Sequence, residues 1–574
     1  MLQQALFTRM KCTRHISSGS LTTTKNCGNK FGLKEDIAIF RDTEFLVSKS
    51  LTKFFVMKAL LIAPHKLVPV SFSLTMRSAP PLGLALIAGA IEEKGFDVSV
   101  LDCVGEAPDN YFSLEGFEDV AALGIRFDEL FQRLLSHYDL IGIGLMFSNN
   151  WLINRYLINL LKERYPNALI VAGGEHASGI PEYCLKDCEG LDMVVVGEGE
   201  ATIGEVAELM QAGKPLYDVP GTVVKVRSEN RITTNIRRNR ITEVNVVTRP
   251  SWHLFPVEKY FAQGIGLGVA KDRSLPMLAT RGCPYTCTFC SSPQMWGTKY
   301  NMRSVDNVIE EIKSRISQYQ ITNVDFMDLT AIIKKEWILE FCKKLKRENI
   351  NITWQLPSGT RTEAIDWEVA VALKDAGCVN ITYAPESGSD NILKAVKKKV
   401  KLHKILQSID ESYRAGLNVK LNIMMGFPDE KLSDILRTYF FLIKSSYYGA
   451  TDAAPSMFNP YPGSKLFEEL LERKEVELSD RYFYKMVFTQ SQHKFANYNR
   501  NMGKSTMMIL MVIGYFVFYT SNYIFRPVRA FRLFFNVYTG KYNTRGEQML
   551  GTVIKRIRDV NLNKKHKQKQ VSVS

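Results

Sequence analysis

From Met57 onward the chain runs as two successive series in which short apolar stretches alternate with longer amphipathic ones. Switching between a period near 2 and a period near 3.6 restricts the fold to parallel sheets whose strands are joined by crossover helices. In the first series the expected strands are 59–63, 97–101, 140–145, 168–172 and 193–196. The expected helices are 81–94, 127–136, 151–164 and 201–211, with Gly95 placed to end the first of them. Ligands of such sheets bind beyond the carboxyl ends of the strands. The loops there, at 64–80, 102–105, 147–150, 173–179 and 197–202, are rich in Gly, Ser and Asn, which lets backbone approach a ligand.

A second series begins near residue 277, with strands expected at 277–279, 323–326, 353–356, 380–384, 419–424 and 454–458. Helices at 305–319, 336–348, 368–376 and 404–415 alternate with them. Six such units suit a partial α/β barrel, since a closed one needs about eight. The stretch between the series lacks clear periodicity, carries a basic run at Arg237, Arg238 and Arg240, and reads as a connector. The expected organisation is a leader or mis-assigned start at 1–56, a first domain at 57–214, the connector at 215–274, a core at 275–475 and a helical region with a basic tail at 476–574.

The core opens on Arg281-Gly282-Cys283-Pro284-Tyr285-Thr286-Cys287-Thr288-Phe289-Cys290. The ten cysteines of this 574-residue chain are too sparse for a disulfide framework, so a tight group of three signals metal binding in a reducing compartment, here the cytosol. Thiolates are the usual ligands of iron–sulfur clusters. Three on one loop can hold three irons of a [4Fe–4S] cube, leaving the fourth open to chelate a substrate's amino and carboxylate groups. Zinc would require a fourth Cys or His nearby, and none follows at zinc spacing.

With an aromatic before its third cysteine, this loop resembles that of the radical SAM superfamily. Downstream, Tyr383-Ala384-Pro385-Glu386-Ser387-Gly388-Ser389 is similar to the family's Glu-Ser-Gly strand end. Met425-Gly426-Phe427-Pro428 is similar to its Gly-Phe-Pro turn, and Asn459-Pro460-Tyr461-Pro462-Gly463-Ser464 to the end of its last strand. The resemblance implies a cluster on Cys283, Cys287 and Cys290 that reduces and cleaves S-adenosylmethionine (SAM), giving a 5′-deoxyadenosyl radical. It suggests Glu386 and Arg361 as SAM contacts, and Asp328 as a contact to SAM or substrate.

Residues 57–210 resemble the cobalamin-binding domains fused to one radical SAM subgroup, that of the magnesium-protoporphyrin ester cyclase and hopanoid methylases. The matching stretches are Pro80-Pro81-Leu82-Gly83-Leu84, Gly173-Gly174-Glu175-His176-Ala177 and Val196-Gly197-Glu198-Gly199-Glu200. The implied fold class is α/β: a flavodoxin-like (Rossmann-type) parallel sheet, a partial (β/α)6 radical SAM barrel and a helical C-terminal extension. No His follows an Asp by two residues, so cobalamin is expected to bind without the His of Asp-x-His-x-x-Gly. Gly173 and Gly174 are expected to leave room for the ring, and His65 and His176 to serve as hydrogen-bonding loop residues.

The resemblance implies methyl transfer at an unactivated carbon, or cyclisation. The expected partners are a small, lipid-like or tetrapyrrole substrate and a one-electron reductant such as flavodoxin or ferredoxin; nucleic acid is not expected. A methylthiotransferase acting on RNA would need a second cysteine triad, and Cys103, Cys184 and Cys188 lack its spacing. A cluster or cobalamin sensor is the non-enzymatic alternative, told apart by SAM left intact. Residues 505–525 carry no charge, long enough to span a bilayer. The arginines Arg526, Arg529 and Arg532 that follow would be exported by a span, against the positive-inside rule. A helix lying on the membrane face through 505–532 fits them better, and a buried helix fits as well.

Overall fold

The computed structural model describes residues 56–70, 78–263, 268–269, 271–489, 494–544, 546–548, 550–551 and 554. Residues 1–55 of the expected leader at 1–56 and the basic tail beyond 554 lie outside these, as does the question of where the chain starts.

The first series folds into one sheet of seven strands. They are β1 (Lys58–Ala63), β2 (Asp97–Asp102), β3 (Leu140–Gly144), β4 (Leu169–Gly173), β5 (Met193–Val195), β6 (Thr222–Val226) and β7 (Arg231–Thr234). The first five are parallel in the order β2-β1-β3-β4-β5, the flavodoxin-like order, whose switch point lies between β1 and β3. Helices α1 (Leu82–Glu92), α2 (Trp151–Arg164) and α3 (Glu200–Gln211) lie among its crossovers. Leu61 and Ala59 face one core layer and Leu60 and Ile62 the other, as the strict alternation of a doubly covered strand requires.

The start of the expected connector instead completes this sheet. β6 runs antiparallel to β5 and β7 antiparallel to β6. The short β7 has its side chains partly exposed, so it carries none of the continuous apolar signal that marks the parallel strands. A further small antiparallel sheet is made of Lys66–Pro69, Tyr111–Leu114 and Phe117–Leu123, whose buried apolar runs are no longer than Val120–Leu123.

The second series gives a six-stranded, wholly parallel sheet in sequential order. Its strands are β8 (Ser274–Met277), β9 (Asn323–Phe326), β10 (Thr353–Thr360), β11 (Cys378–Glu386), β12 (Asn418–Met425) and β13 (Asp452–Met457). β8 begins three residues before the expected start at 277. The helices α4 (Val305–Tyr319), α5 (Lys335–Arg347), α6 (Trp367–Asp375), α7 (Leu402–Arg414) and α8 (Leu432–Tyr448) alternate with the strands. Ser304 and Asp366 cap α4 and α6 by accepting from Asn307 N and Val369 N. The sheet does not close, so β8 and β13 remain edges.

The C-terminal extension is helical: α9 (Lys504–Phe525) and α10 (Pro527–Thr539). α9 covers the β13 edge, burying Met507, Leu510, Met511 and Phe518. Each such side chain contributes about 1.5–3 kcal/mol by leaving water. Tyr515 donates to Pro455 O at 2.7 Å and Asn522 to Ala450 O at 2.6 Å, which removes polar atoms that the edge would otherwise leave unpaired.

Candidate functional site

The cysteine loop leaves β8 through Thr280–Arg281, which pairs antiparallel with Asn301–Met302. Gly282 has φ +88°, and a Cβ there would stand 2.2 Å from Lys299 O, so only glycine fits before the first cysteine. Asp328 is 1% exposed and accepts from Ala279 N at 3.2 Å and from Thr280 N and Oγ1 at 2.5 Å each. Its carboxylate braces the chain entering the loop; burial, partly offset by these bonds, pushes it up to about 6. Further along, Thr288 N donates to Val396 O at 3.0 Å and Leu466 N to Thr288 O at 2.8 Å, fixing the loop on its far side.

All three cysteines are partly exposed. β11 ends at Glu386, which holds φ +67° and is 7% exposed. Its Oε1 lies 2.9 Å from Nζ of Lys398. The Arg361 guanidinium stacks 3.8 Å from the centre of the Tyr285 ring, inside the cysteine loop, and its in-plane N–H groups donate to Glu363 at 2.7 Å and to the carbonyl of Lys399. Burial pushes the Cys287 thiol up, Lys398 pulls it down, Cys283 and Glu386 raise it, and Arg361 lowers it. Cys290 is likewise raised by burial. Lys398 is pulled down by burial but raised overall by Glu386 and Cys287.

Two cations beside a group of thiols suit a cluster whose thiolates are negatively charged. Among the described residues no three His, Cys, Asp or Glu side chains converge as a single metal ion requires. A cube takes one thiolate per iron and so needs its three thiols spaced around one corner, which a single loop of this spacing can supply. Cys283, Cys287 and Cys290 would hold it, and Glu386, Lys398 and Arg361 stand beside the loop.

The carboxyl end of the first sheet faces this loop. Glu175 Oε1 lies 2.8 Å from Ser291 Oγ, next to Cys290. A Cβ on Gly179 would meet Pro462 O at 2.7 Å, so the two domains' backbones touch there. The junction is tied by a buried charge network: Arg281 reaches Glu200 at 2.6 Å and Glu198 at 3.3 Å, and Arg240 reaches Glu198 at 2.7 Å. Arg238 pairs with Glu205 and Arg237 with the carbonyls of Gln294 and Met295, so the connector's basic run is the clamp between domains.

His176 is buried, with Nδ1 2.9 Å from Ser148 Oγ and Nε2 3.7 Å from Cys184 Sγ. Burial pushes it down to about 3. His65 binds Ile125 O through Nε2 at 2.6 Å and is pushed down to about 4 by burial. Both are internal hydrogen-bonding groups. Gly174 has φ +119°, and a Cβ there would lie 2.6 Å from Leu145 O, so glycine serves the packing of β3 against the β4 loop. A Cβ on Gly173 would meet only ordinary contacts. At the switch point, Met146 and Phe147 are exposed at 54% and 50%, an apolar platform of the kind a corrin ring would cover. The donor set at this edge fits cobalamin held by packing rather than by a protein His.

Lys398 and the Glu200–Arg281–Glu198–Arg240 network are not apparent in the sequence. Lys398 sits in the run Lys397-Lys398-Lys399, which reads as a solvated surface.

Comparison with known proteins agrees with this geometry. The model of the radical SAM superfamily matches residues 277–442, and that of the B12 binding domain matches residues 77–207. The chain is 30% identical over 414 residues to an uncharacterized methyltransferase of Pyrococcus horikoshii, covering 72% of this chain and 83% of that one. It is 26% identical to cytidylyl-2-hydroxyethylphosphonate methyltransferase of Streptomyces wedmorensis, covering 72% and 82%. Its fold is similar to that of the radical S-adenosylmethionine methyltransferase TsrM of Kitasatospora setae, solved with cobalamin and a [4Fe–4S] cluster. The TM-score is 0.57 at 17% identity, over 73% of this chain and 75% of that one. The chain therefore belongs to the radical SAM superfamily, in the branch in which a B12-binding domain precedes the radical SAM domain.

Proposed function

We propose that this radical SAM enzyme transfers a methyl group from SAM to an unactivated carbon of a small hydrophobic molecule, with cobalamin as carrier. The observation that carries the reading is the face-to-face placement of the two sheets' carboxyl ends, joined at Glu175–Ser291 and clamped by Arg281 and Arg240. That arrangement supports a two-cofactor reaction, in which a cobalamin edge and a cluster loop would share one space. The similarity to the two methyltransferases favours methyl transfer over cyclisation.

The cofactors supply the C–S cleavage and the methyl carrier. The chain's part is position and exclusion of water. Glu386, with Lys398 behind it, and Arg361 are assigned to SAM, and Asp328 to holding the cysteine loop. A lipid-like or tetrapyrrole substrate, a flavodoxin or ferredoxin reductant, a cytosolic setting and contact with a membrane through 505–532 complete the reading.

Cys103, Cys184 and Cys188 are buried, and burial is the main cause raising each thiol. This favours a core role for them over a second cluster. The test is turnover with SAM labelled in its methyl group against a panel of lipid and tetrapyrrole acceptors. Label in product with S-adenosylhomocysteine formed supports methyl transfer; 5′-deoxyadenosine with an unlabelled, ring-closed product supports cyclisation instead.

A further inference from the structure

The outer faces of α8, α9 and α10 are inside-out. On α9, Ile509, Val512, Phe516, Ile524 and Phe525 are exposed, Phe516 and Ile524 at 69% and 70%. On α10, Val528, Phe531, Phe534, Phe535 and Tyr538 are exposed at 60–85%. At 3.6 residues per turn these five occupy an arc of roughly 120°. The opposite side of α10 points its polar groups at the protein. Arg529 donates to Ala450 O at 2.8 Å and Gly449 O at 2.9 Å, and the buried Asn536 to Glu547 at 3.0 Å. A helix on a water-facing surface has the reverse arrangement. The apolar surface continues onto α8 through Leu436, Phe440 and Tyr447, whose ring meets Phe525 edge-on at 5.5 Å.

The surface is also positively charged. No Asp or Glu occurs between Asp480 and Glu547. Among the described residues Arg532, Lys541 and Lys444 form no ion pair. Beside Lys444, a cleft of about 480 Å³ between α7 and α8 has an apolar floor at Leu406, Leu436 and Phe441 and a rim of His403, Arg437 and Lys444.

We propose that α8, α9 and α10 dock flat on an anionic phospholipid bilayer. The aromatic arc of α10 enters the acyl boundary, and Arg532, Lys541 and Lys444 meet lipid phosphates. This deepens the membrane part of the preceding reading and does not depend on the chemistry at the cluster. A second copy of the chain is the poorer occupant, because two copies meeting here would bring these cations together with no acid between them. A spanning α9 would forfeit its bonds to Pro455, Ala450 and Asp452 along the β13 edge. α9 starts beside Gly426 at the carboxyl end of β12, so the lipid-facing flank reaches the same end of the sheet as the cysteine loop.

The test is flotation of the full chain with phosphatidylcholine vesicles, with and without phosphatidylglycerol. Wild type is expected to float with the anionic vesicles and to be released by salt. The exposed-site variants Phe531→Ser/Phe534→Ser/Phe535→Ser and Arg532→Glu/Lys541→Glu should each bind at least about tenfold less, with SAM cleavage in solution unchanged. Three results overturn the proposal: wild type floating no better than the triple variant, self-association in solution that the triple variant abolishes, or resistance to alkaline carbonate extraction. A chain that cleaves SAM but does not float sinks the docking alone; one that floats but leaves SAM intact sinks the catalytic reading alone.

Discussion

Nζ of Lys398 lies 2.9 Å from Oε1 of Glu386, and both side chains are nearly buried behind the cysteine loop. Breaking a buried pair by removing one partner leaves a charge uncompensated and costs about 3–5 kcal/mol. Lys398→Ala is therefore expected to lower the melting temperature clearly and to weaken SAM binding, since Glu386 would lose its orientation. Glu386→Gln keeps the shape. It should retain iron and sulfide while lowering SAM affinity about tenfold, a loss of roughly 1.4 kcal/mol, read by calorimetric titration. Unchanged affinity in Glu386→Gln would remove Glu386 from the SAM site.

The two glycines ending β4 should behave differently. Gly174→Ala places a Cβ against Leu145 O in a backbone region that favours glycine, and should destabilise the protein by about 2 kcal/mol or more in denaturant unfolding. Gly173→Ala should fold normally. Loss of cobalamin retention by Gly173→Ala alone would assign it to the corrin cradle; full retention would leave it a packing residue.

The clamp between domains should be separable from the cofactors. Arg240→Ala and Glu198→Ala are each expected to destabilise the chain, and a double-mutant cycle should give a coupling of about 1–3 kcal/mol. Each variant should keep its cluster, because neither residue touches a cysteine. Additive effects would mean that Arg240 and Glu198 do not act as a pair.

Burial pushes Glu430 up to about 7, and its Oε1 has no hydrogen-bond partner among the described residues. The folded state thus binds a proton that the unfolded chain releases near 4.5. The stability it contributes is present at low pH and is lost as pH rises through about 7. Glu430→Gln should be more stable than wild type at pH 8, by on the order of 3 kcal/mol, and the difference should shrink toward pH 5. Unfolding measured at both values checks the sign. A difference that grows on acidification contradicts it.

The parallel strands were legible because burial on both faces writes continuous apolar runs, as in Leu60-Leu61-Ile62 and Val194-Val195. β7 was not, because its side chains are partly exposed, and the small sheet at 66–69, 111–114 and 117–123 was not, because its buried runs, such as Val120–Leu123, are too short to mark a strand among the loops around them. The cysteine loop and Glu386 could be read as local motifs. Lys398, Arg240 and Arg281 could not: a charged residue looks solvated in sequence, and only tertiary structure brings Lys398 to Glu386 and Arg281 to Glu198 and Glu200. Sequence left α9 open among three placements. The structure shows one face sealed on β13 and α8 and the other bare.

The most direct measurement is 5′-deoxyadenosine, quantified by mass spectrometry after anaerobic reconstitution with iron and sulfide and reduction with dithionite in the presence of SAM. Wild type should bind one [4Fe–4S] cluster and form 5′-deoxyadenosine. Cys283→Ala/Cys287→Ala/Cys290→Ala, folded by circular dichroism, should bind no cluster and form none. Equal iron, sulfide and 5′-deoxyadenosine in the two proteins would contradict the account.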